Sequence, residues 1–70
     1  MFKFTIILKV TSIIEGIEFT GYPIITRTTQ TKDKGVVERA AIHRYIRENW
    51  GSISKVEIMR TSVHRIDGAA

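Results

Sequence analysis

Four basic side chains lie close together in the segment ERAAIHRYIRENW, residues 38–50. At about 100° per residue, a helix collects them on one side. This basic stripe consists of Arg39, His43, Arg44 and Arg47. Guanidinium groups bind phosphates and carboxylates, so the stripe could contact nucleic acid or an acidic protein surface. The same pattern is typical of the solvated side of a packed helix, and the sequence leaves the three interpretations open.

The other side chains that could carry catalysis or bind a metal form no recognisable site. His43 and His64 are the only histidines, and without cysteine a zinc site lacks an obvious third ligand. There is no nucleophile–histidine arrangement and no phosphate-binding glycine loop. Glu15 and Glu18 flank a predicted turn, where solvated carboxylates are expected. We therefore expect a non-enzymatic protein with no metal or cofactor, with His43 on the surface and His64 in a C-terminal tail.

Length and composition limit the possible folds and locations of the protein. A chain of 70 residues hides roughly 60% of its unfolded surface, so we expect one small domain, residues 1–70, with residues 67–70 as a frayed end. No disulfide can reinforce its core, because there is no cysteine. The apolar opening contains Lys3 and Lys9, and no run approaches the roughly 20 apolar residues of a membrane span. These features predict a mature cytoplasmic protein.

The net charge of +4 is not concentrated in an arm or a tail. Residues 1–32 carry +2, and residues 33–50 and 51–70 carry +1 each. A basic surface supplies the sequence-independent part of nucleic-acid binding, but this even distribution weakens that interpretation.

Two strands joined as a hairpin are predicted before the helix. Apolar and polar side chains alternate from residue 2 to residue 11, which is typical of a half-buried strand. The run IEFTGYPIITRTTQ is rich in β-branched and aromatic residues and predicts the second strand. Glu15 and Gly16 are expected to form the turn, with Gly16 at positive φ. Pro23 cannot donate to a ladder, so this strand is expected at an edge, with a bulge or bend nearby.

This turn also predicts the register of the hairpin. Residues facing each other would be Ile14 and Ile17, Ser12 and Phe19, and Ile6 and Ile25. The register sends the apolar residues of both strands to one face, and that consistency supports it.

A helix and a closing strand complete the pattern. Asp33 is the expected N-cap of a helix over about residues 34–49, and Gly51 is expected to end it. SKVEIMRTSV predicts a strand that ends near Met59 or continues through His64. With a right-handed crossover, the order β-β-α-β predicts an α+β fold: a three-stranded antiparallel sheet of order 2-1-3 with one helix packed on one face. The helical residues expected to pack on the sheet are Val37, Ala41, Ile42, Tyr45 and Ile46.

One helix covers one sheet face, so the other face is expected to be open. It would show Lys3, Thr5, Ile7, Lys9, Thr11 and Ile13 beside Glu18, Thr20, Tyr22, Ile24, Thr26 and Thr28. Ile7 would sit opposite Ile24, and Tyr22 beside Lys9, so this face could bind a partner or form a homodimer. Scattered apolar residues are also normal on protein surfaces. The phenylalanines point to the helix side, which disfavours an RNA-stacking platform.

The hairpin, a helix opening after TKDKG and a closing strand VEIMRT together resemble small phage-encoded host-takeover proteins, such as phage inhibitors of bacterial RNA polymerase and certain anti-CRISPR proteins. The likeness covers about residues 2–63 and lies in element order and hydrophobic pattern. It implies non-enzymatic inhibition by docking on a large nucleic-acid machine and blocking a channel or a subunit contact. Arginines on the closing strand belong to the binding surface of the polymerase inhibitor, so Arg60 could correspond to them here.

The sequence thus predicts a small binding protein, encoded by a phage or mobile element, that modulates a host nucleic-acid-handling machine through protein contacts. Direct binding of DNA or RNA through the basic stripe is the alternative. The residues expected to meet a partner or nucleic acid are Arg39, His43, Arg44, Arg47, Arg60, Lys9 and Tyr22. A solvated strand-end arginine is the competing interpretation of Arg60 and the commoner case.

Overall fold

A computed structural model describes residues 1–49 and 51–66. In chain order the elements are β1 Phe2–Ile14, β2 Ile17–Gly21, β3 Ile24–Thr29, α1 Lys34–Asn49 and β4 Ile53–Arg65. All strand pairs are antiparallel, and β1 is the central strand, with β2 and β3 along one edge and β4 along the other. The predicted α+β fold is confirmed. Residues 67–70, predicted as a frayed end, lie outside the described residues.

β2 and β3 are two parts of the predicted second strand. Ser12 pairs with Phe19 in one part and Ile6 with Ile25 in the other, so both keep the register that the turn predicted. The strand is interrupted at Pro23, which has no N–H, although its carbonyl accepts a hydrogen bond from the Leu8 amide at 3.0 Å. The sheet therefore has four strands where the sequence predicted three, and the predicted order around β1 is kept.

The turn of the hairpin needs positive φ at both central residues. Glu15 has φ 52° and Gly16 has φ 79°, which is the pattern of a type I′ turn. The sequence indicated positive φ for Gly16 alone. Glu15 adopts it as well because this turn matches the right-handed twist of the two strands.

The helix begins where its pattern predicted, and four of the five residues predicted to pack on the sheet are buried or partly buried. The Asp33 carboxylate accepts a hydrogen bond from the Val36 amide at 3.3 Å, which confirms Asp33 as the N-cap. The Thr61 hydroxyl of β4 donates to the Glu38 carboxylate and ties the helix to that strand. Ile46, predicted on the packed side, is exposed instead. At about 100° per residue it lies about 140° around the helix from the buried Ala41.

The core is small and lies between the first part of β1 and α1. Its buried members are Phe4, Ile6, Leu8, Val10, Val37 and Ala41. Partly buried side chains surround them: Phe2, Ile25, Ile42, Tyr45, Ile53, Val56 and Ile58. All four buried residues of β1 are at even positions, as the alternation predicted.

β4 continues to Arg65 and contains two bulges. His64, predicted in a tail, pairs with Lys3 inside the sheet, so that prediction was wrong. Ile7 pairs with Arg60 while the next residue of β1 pairs with Ile58, so Met59 is an extra residue in the strand. Without this bulge Arg60 would share the covered face with Ile58. With it, Arg60 shares the open face with Ile7.

The helix is much shorter than the sheet that it covers. β1 has 13 residues and extends about 43 Å at about 3.3 Å per residue. α1 has 16 residues and extends about 24 Å. The molecule measures 51 × 19 × 17 Å. One end of the sheet therefore projects past the helix.

Candidate functional site

The predicted site residues divide between two opposite surfaces of the molecule. The basic stripe of Arg39, His43, Arg44 and Arg47 is exposed on the outer side of α1. Lys9 and Arg60 lie instead on the open sheet face, and Tyr22 is exposed at the break between β2 and β3. The sheet itself separates the two groups, so one flat partner cannot contact both.

The basic stripe is partly neutralised within the helix. The Arg44 Nε donates to the Glu48 Oε1 at 2.8 Å. This hydrogen bond lowers the pKa of Glu48, and the charges of Arg44, Arg27 and Arg47 lower it further. Arg39 and His43 flank a shallow depression of about 270 Å³ on the outer side of the helix. Arg44 already has a carboxylate, whereas Arg39, His43 and Arg47 form no ion pair with a described residue and are open to an anion.

The open sheet face is polar and carries both signs of charge. Lys9 pairs with Glu57 across the strands, and the Lys55 Nζ lies 2.6 Å from the Glu57 Oε1. The hydrogen bond from Lys55 and the charges of Lys55 and Lys9 lower the pKa of Glu57, while the same bond raises the pKa of Lys55. Tyr22 is exposed at the break between β2 and β3. β2 and β3 pair with β1 in one shared register, and that register places residue 22 opposite Lys9.

An apolar spot lies in the middle of this open face. Ile7 faces Ile24 on one side and Arg60 on the other, as the register predicted for the two isoleucines. Ile24 is strongly exposed. This apolar spot is the part of the open face on which a second copy could dock by a two-fold axis.

A third surface was not predicted from the sequence. The hairpin arm, residues 12–21, projects past the end of α1 and shows apolar side chains on both faces. On the face shared with the core, Ile14 is 50% exposed, Ile17 59% and Phe19 51%. Ile13 is exposed on the opposite face. Their pairing was predicted correctly, but the helix ends before it could bury them.

A fourth surface is a groove between the edge strand β3 and α1. It has one compartment of about 300 Å³ and a second of about 220 Å³, and Arg27 lines both. Arg27 follows Ile25 at the two-residue spacing of a sheet face, so the covered face of β3 carries a charge. A charged residue at a position of the covered sheet face was the sequence signal for this groove, and no site was predicted from it.

The described residues contain no metal-binding group and no membrane-spanning helix. Among residues 1–49 and 51–66, no three histidine, cysteine or acidic side chains are grouped so that they could hold a metal ion. In the same ranges no helix has the length and apolar character needed to cross a membrane.

No protein-family model, no curated protein and no solved structure matches this chain. Its function therefore has to be argued from the chemistry of its own surfaces.

Proposed function

We propose that this chain is a small, non-enzymatic inhibitor whose hairpin arm enters a cleft of a host protein complex acting on nucleic acid. The exposure of Ile14, Ile17 and Phe19 carries the proposal. These side chains form a contiguous apolar surface on a very small domain, and monomeric proteins rarely expose such a patch without a partner.

The thickness of the arm favours a cleft over a flat docking surface. β4 begins at Ile53, opposite Ser12, and the Ser52 carbonyl accepts a hydrogen bond from the Ile13 amide; beyond Ile13, among the described residues, only β1 and β2 continue toward the turn. Ile13 and Ile14 point to opposite faces of this two-stranded tip, and both are exposed. A flat partner would cover one of them, whereas a cleft covers both.

The charge of the arm favours a protein cleft of the kind that binds nucleic acid. Residues 12–21 contain Glu15 and Glu18 and neither lysine nor arginine. A phosphate backbone would repel this arm, whereas the basic cleft of a nucleic-acid-handling machine would attract it. Occupying such a cleft blocks it without any chemical step. This is the host-takeover role proposed for a phage or mobile-element protein acting in the host cytoplasm.

Affinity capture from a nuclease-treated bacterial lysate tests the proposal. The bait is the chain itself, compared with an arm variant that carries serine at positions 14, 17 and 19. The matched control carries alanine at the stripe positions 39, 44 and 47. We expect a complex that acts on nucleic acid to bind the chain and the stripe variant but not the arm variant. The chain, and not the arm variant, should also slow the activity of that complex.

Circular dichroism of the arm variant excludes unfolding as the cause of lost capture. The serines replace side chains that are already half exposed, so the helix and sheet should remain. Capture that is equal for the chain and the arm variant would overturn the proposal.

Direct nucleic-acid binding is the competing function, and exposure of Arg39 and His43 favours it. Binding through the stripe would weaken steeply and log-linearly with salt and would be lost in the stripe variant. That result would replace the proposal, while no binding to DNA or RNA at low salt would remove the alternative.

Association of two copies through the open face is a third arrangement. Sedimentation at high concentration would show a dimer that Ile24→Ser dissociates. A strictly monomeric profile would eliminate the homodimer.

A further inference from the structure

The outer edge of β3 offers free backbone groups. The Leu8 amide donates to the Pro23 carbonyl, which places that pair among the hydrogen-bonded pairs of the ladder. Along an antiparallel ladder, hydrogen-bonded pairs alternate with non-hydrogen-bonded pairs. The β3 residues of the non-hydrogen-bonded pairs therefore direct their N–H and C=O groups away from β1. These residues are Ile24, Thr26 and Thr28. Within the described ranges, no strand pairs with β3 on that side.

The intervening residues of β3 face the groove toward α1. The larger compartment is lined by Ile25 from the strand and by Ala41 and Tyr45 from the helix. The smaller compartment has an apolar wall from the first part of the helix, made of Val36, Val37 and Ala40. Arg44 and Glu48 also line the larger compartment, so the groove joins a mixed polar and apolar compartment to an apolar one, beside an edge that can accept a strand.

Arg27 places a positive charge between the two compartments. It is half-buried and forms no salt bridge with any described residue. The nearby Glu48 is already bonded to Arg44. A ligand carboxylate could therefore meet Arg27 without displacing an internal partner, and guanidinium–carboxylate bonds are among the strongest that proteins make.

We propose that this groove binds an extended acidic peptide, which adds to β3 as a further strand. Side chains of an added strand alternate between the two faces, so every second residue enters the groove. The strand then places an apolar residue opposite Ile25, an acidic residue opposite Arg27 and an apolar residue opposite Thr29. The recognised motif is apolar–x–acidic–x–apolar. This binding site uses the outer edge of β3 and does not depend on the hairpin arm.

The probe is the acetylated and amidated peptide Ser-Val-Thr-Glu-Thr-Val-Ser, added to the full chain and followed by NMR. Strand addition should slow hydrogen exchange at the amides of Ile24, Thr26 and Thr28. Arg27→Glu should weaken binding by roughly tenfold or more, because a charge-assisted bond becomes a repulsion. The same variant should prefer the peptide in which lysine replaces glutamate.

Arg60→Glu is the matched charge reversal, since Arg60 lies on β4 at the other edge of the sheet. It should leave binding of the peptide unchanged. If Arg27→Glu and Arg60→Glu weaken binding equally, the attraction is a general effect of net charge and the proposal is wrong.

Thr26→Pro tests the backbone part of the proposal. Proline removes an outward N–H while the ladder to β1 keeps its bonds, so the fold should remain and the peptide should no longer bind. Thr26→Val should bind normally. Phe19→Ala should also bind normally, which separates this site from the arm. No binding to the chain, or binding without protection of the three amides, would overturn the inference.

Discussion

The two halves of the sheet keep one register and have opposite environments. In the half under α1, Phe4 is fully buried, whereas Phe19, on the same sheet face in the hairpin arm, is 51% exposed. Both residues fit a strand equally well and both sit in the expected register. The difference lies only in whether the helix extends over them. The same pattern therefore builds a core at one end of the sheet and an exposed apolar surface at the other.

The largest expected effect is the contrast between Phe4→Ala and Phe19→Ala. Removing the buried ring leaves a cavity and should lower the free energy of unfolding by about 3–5 kcal/mol. Removing the half-exposed ring should cost about 1 kcal/mol, because much of its surface already contacts water. Denaturant unfolding of the two variants measures both values. Equal losses would mean that the arm is covered in solution.

Weakening the helix should affect the covered half alone. Asp33→Ala removes the bond to the Val36 amide and should cost about 1 kcal/mol. Hydrogen exchange should become faster at the β1 amides under the helix, while amides of the hairpin arm keep their rates. Asp33→Ser, which can also cap a helix, should recover most of the loss. Faster exchange throughout both halves would show that they unfold as one unit.

Strengthening the turn should affect the arm alone. Glu15 has positive φ, which asparagine tolerates better than glutamate. Glu15→Asn should therefore raise the free energy of unfolding by roughly 0.5 kcal/mol and slow exchange in the arm. Glu18→Asn changes the same charge in an extended strand and should not stabilise the protein. A loss of stability with Glu15→Asn would contradict the turn geometry.

The smallest effect should be a pH dependence confined to the helix. The bond from Arg44 lowers the pKa of Glu48 below its ordinary value of 4.5. The folded state thus favours the carboxylate, so its contribution is present above the unfolded pKa and is lost as pH falls through the folded pKa. The difference in stability between the chain and Glu48→Gln should shrink between neutral and strongly acid pH. Both side chains are exposed, so a large change would contradict this geometry.

Local signals were sufficient to predict much of the fold. The Glu15-Gly16 turn and the alternation of β1 set the register, and Asp33 marked the start of the helix. Each of these depends on residues close in sequence, or on two strands joined by a short turn. The pairing of Ile6 with Ile25 follows directly from that turn.

Features that depend on tertiary geometry were not predictable in the same way. The bulge at Met59 changes the face on which Arg60 lies, and no residue type near it indicates a bulge. The groove at Arg27 exists because the helix lies toward β4 and leaves the β3 side open. The exposure of Phe19 could have been anticipated from lengths alone, because a 16-residue helix extends only about 24 Å.

The uninterrupted register between β1 and β2 makes the reach of the arm adjustable. Removing residues 13 and 14 together with residues 17 and 18 would still leave Ser12 facing Phe19 beside the same turn. The tip would retract by about 7 Å with every remaining side chain on its original face. Pairwise insertions would extend it by the same step. Under the proposed function, hairpin arms of different length would fit clefts of different depth without altering a single core residue.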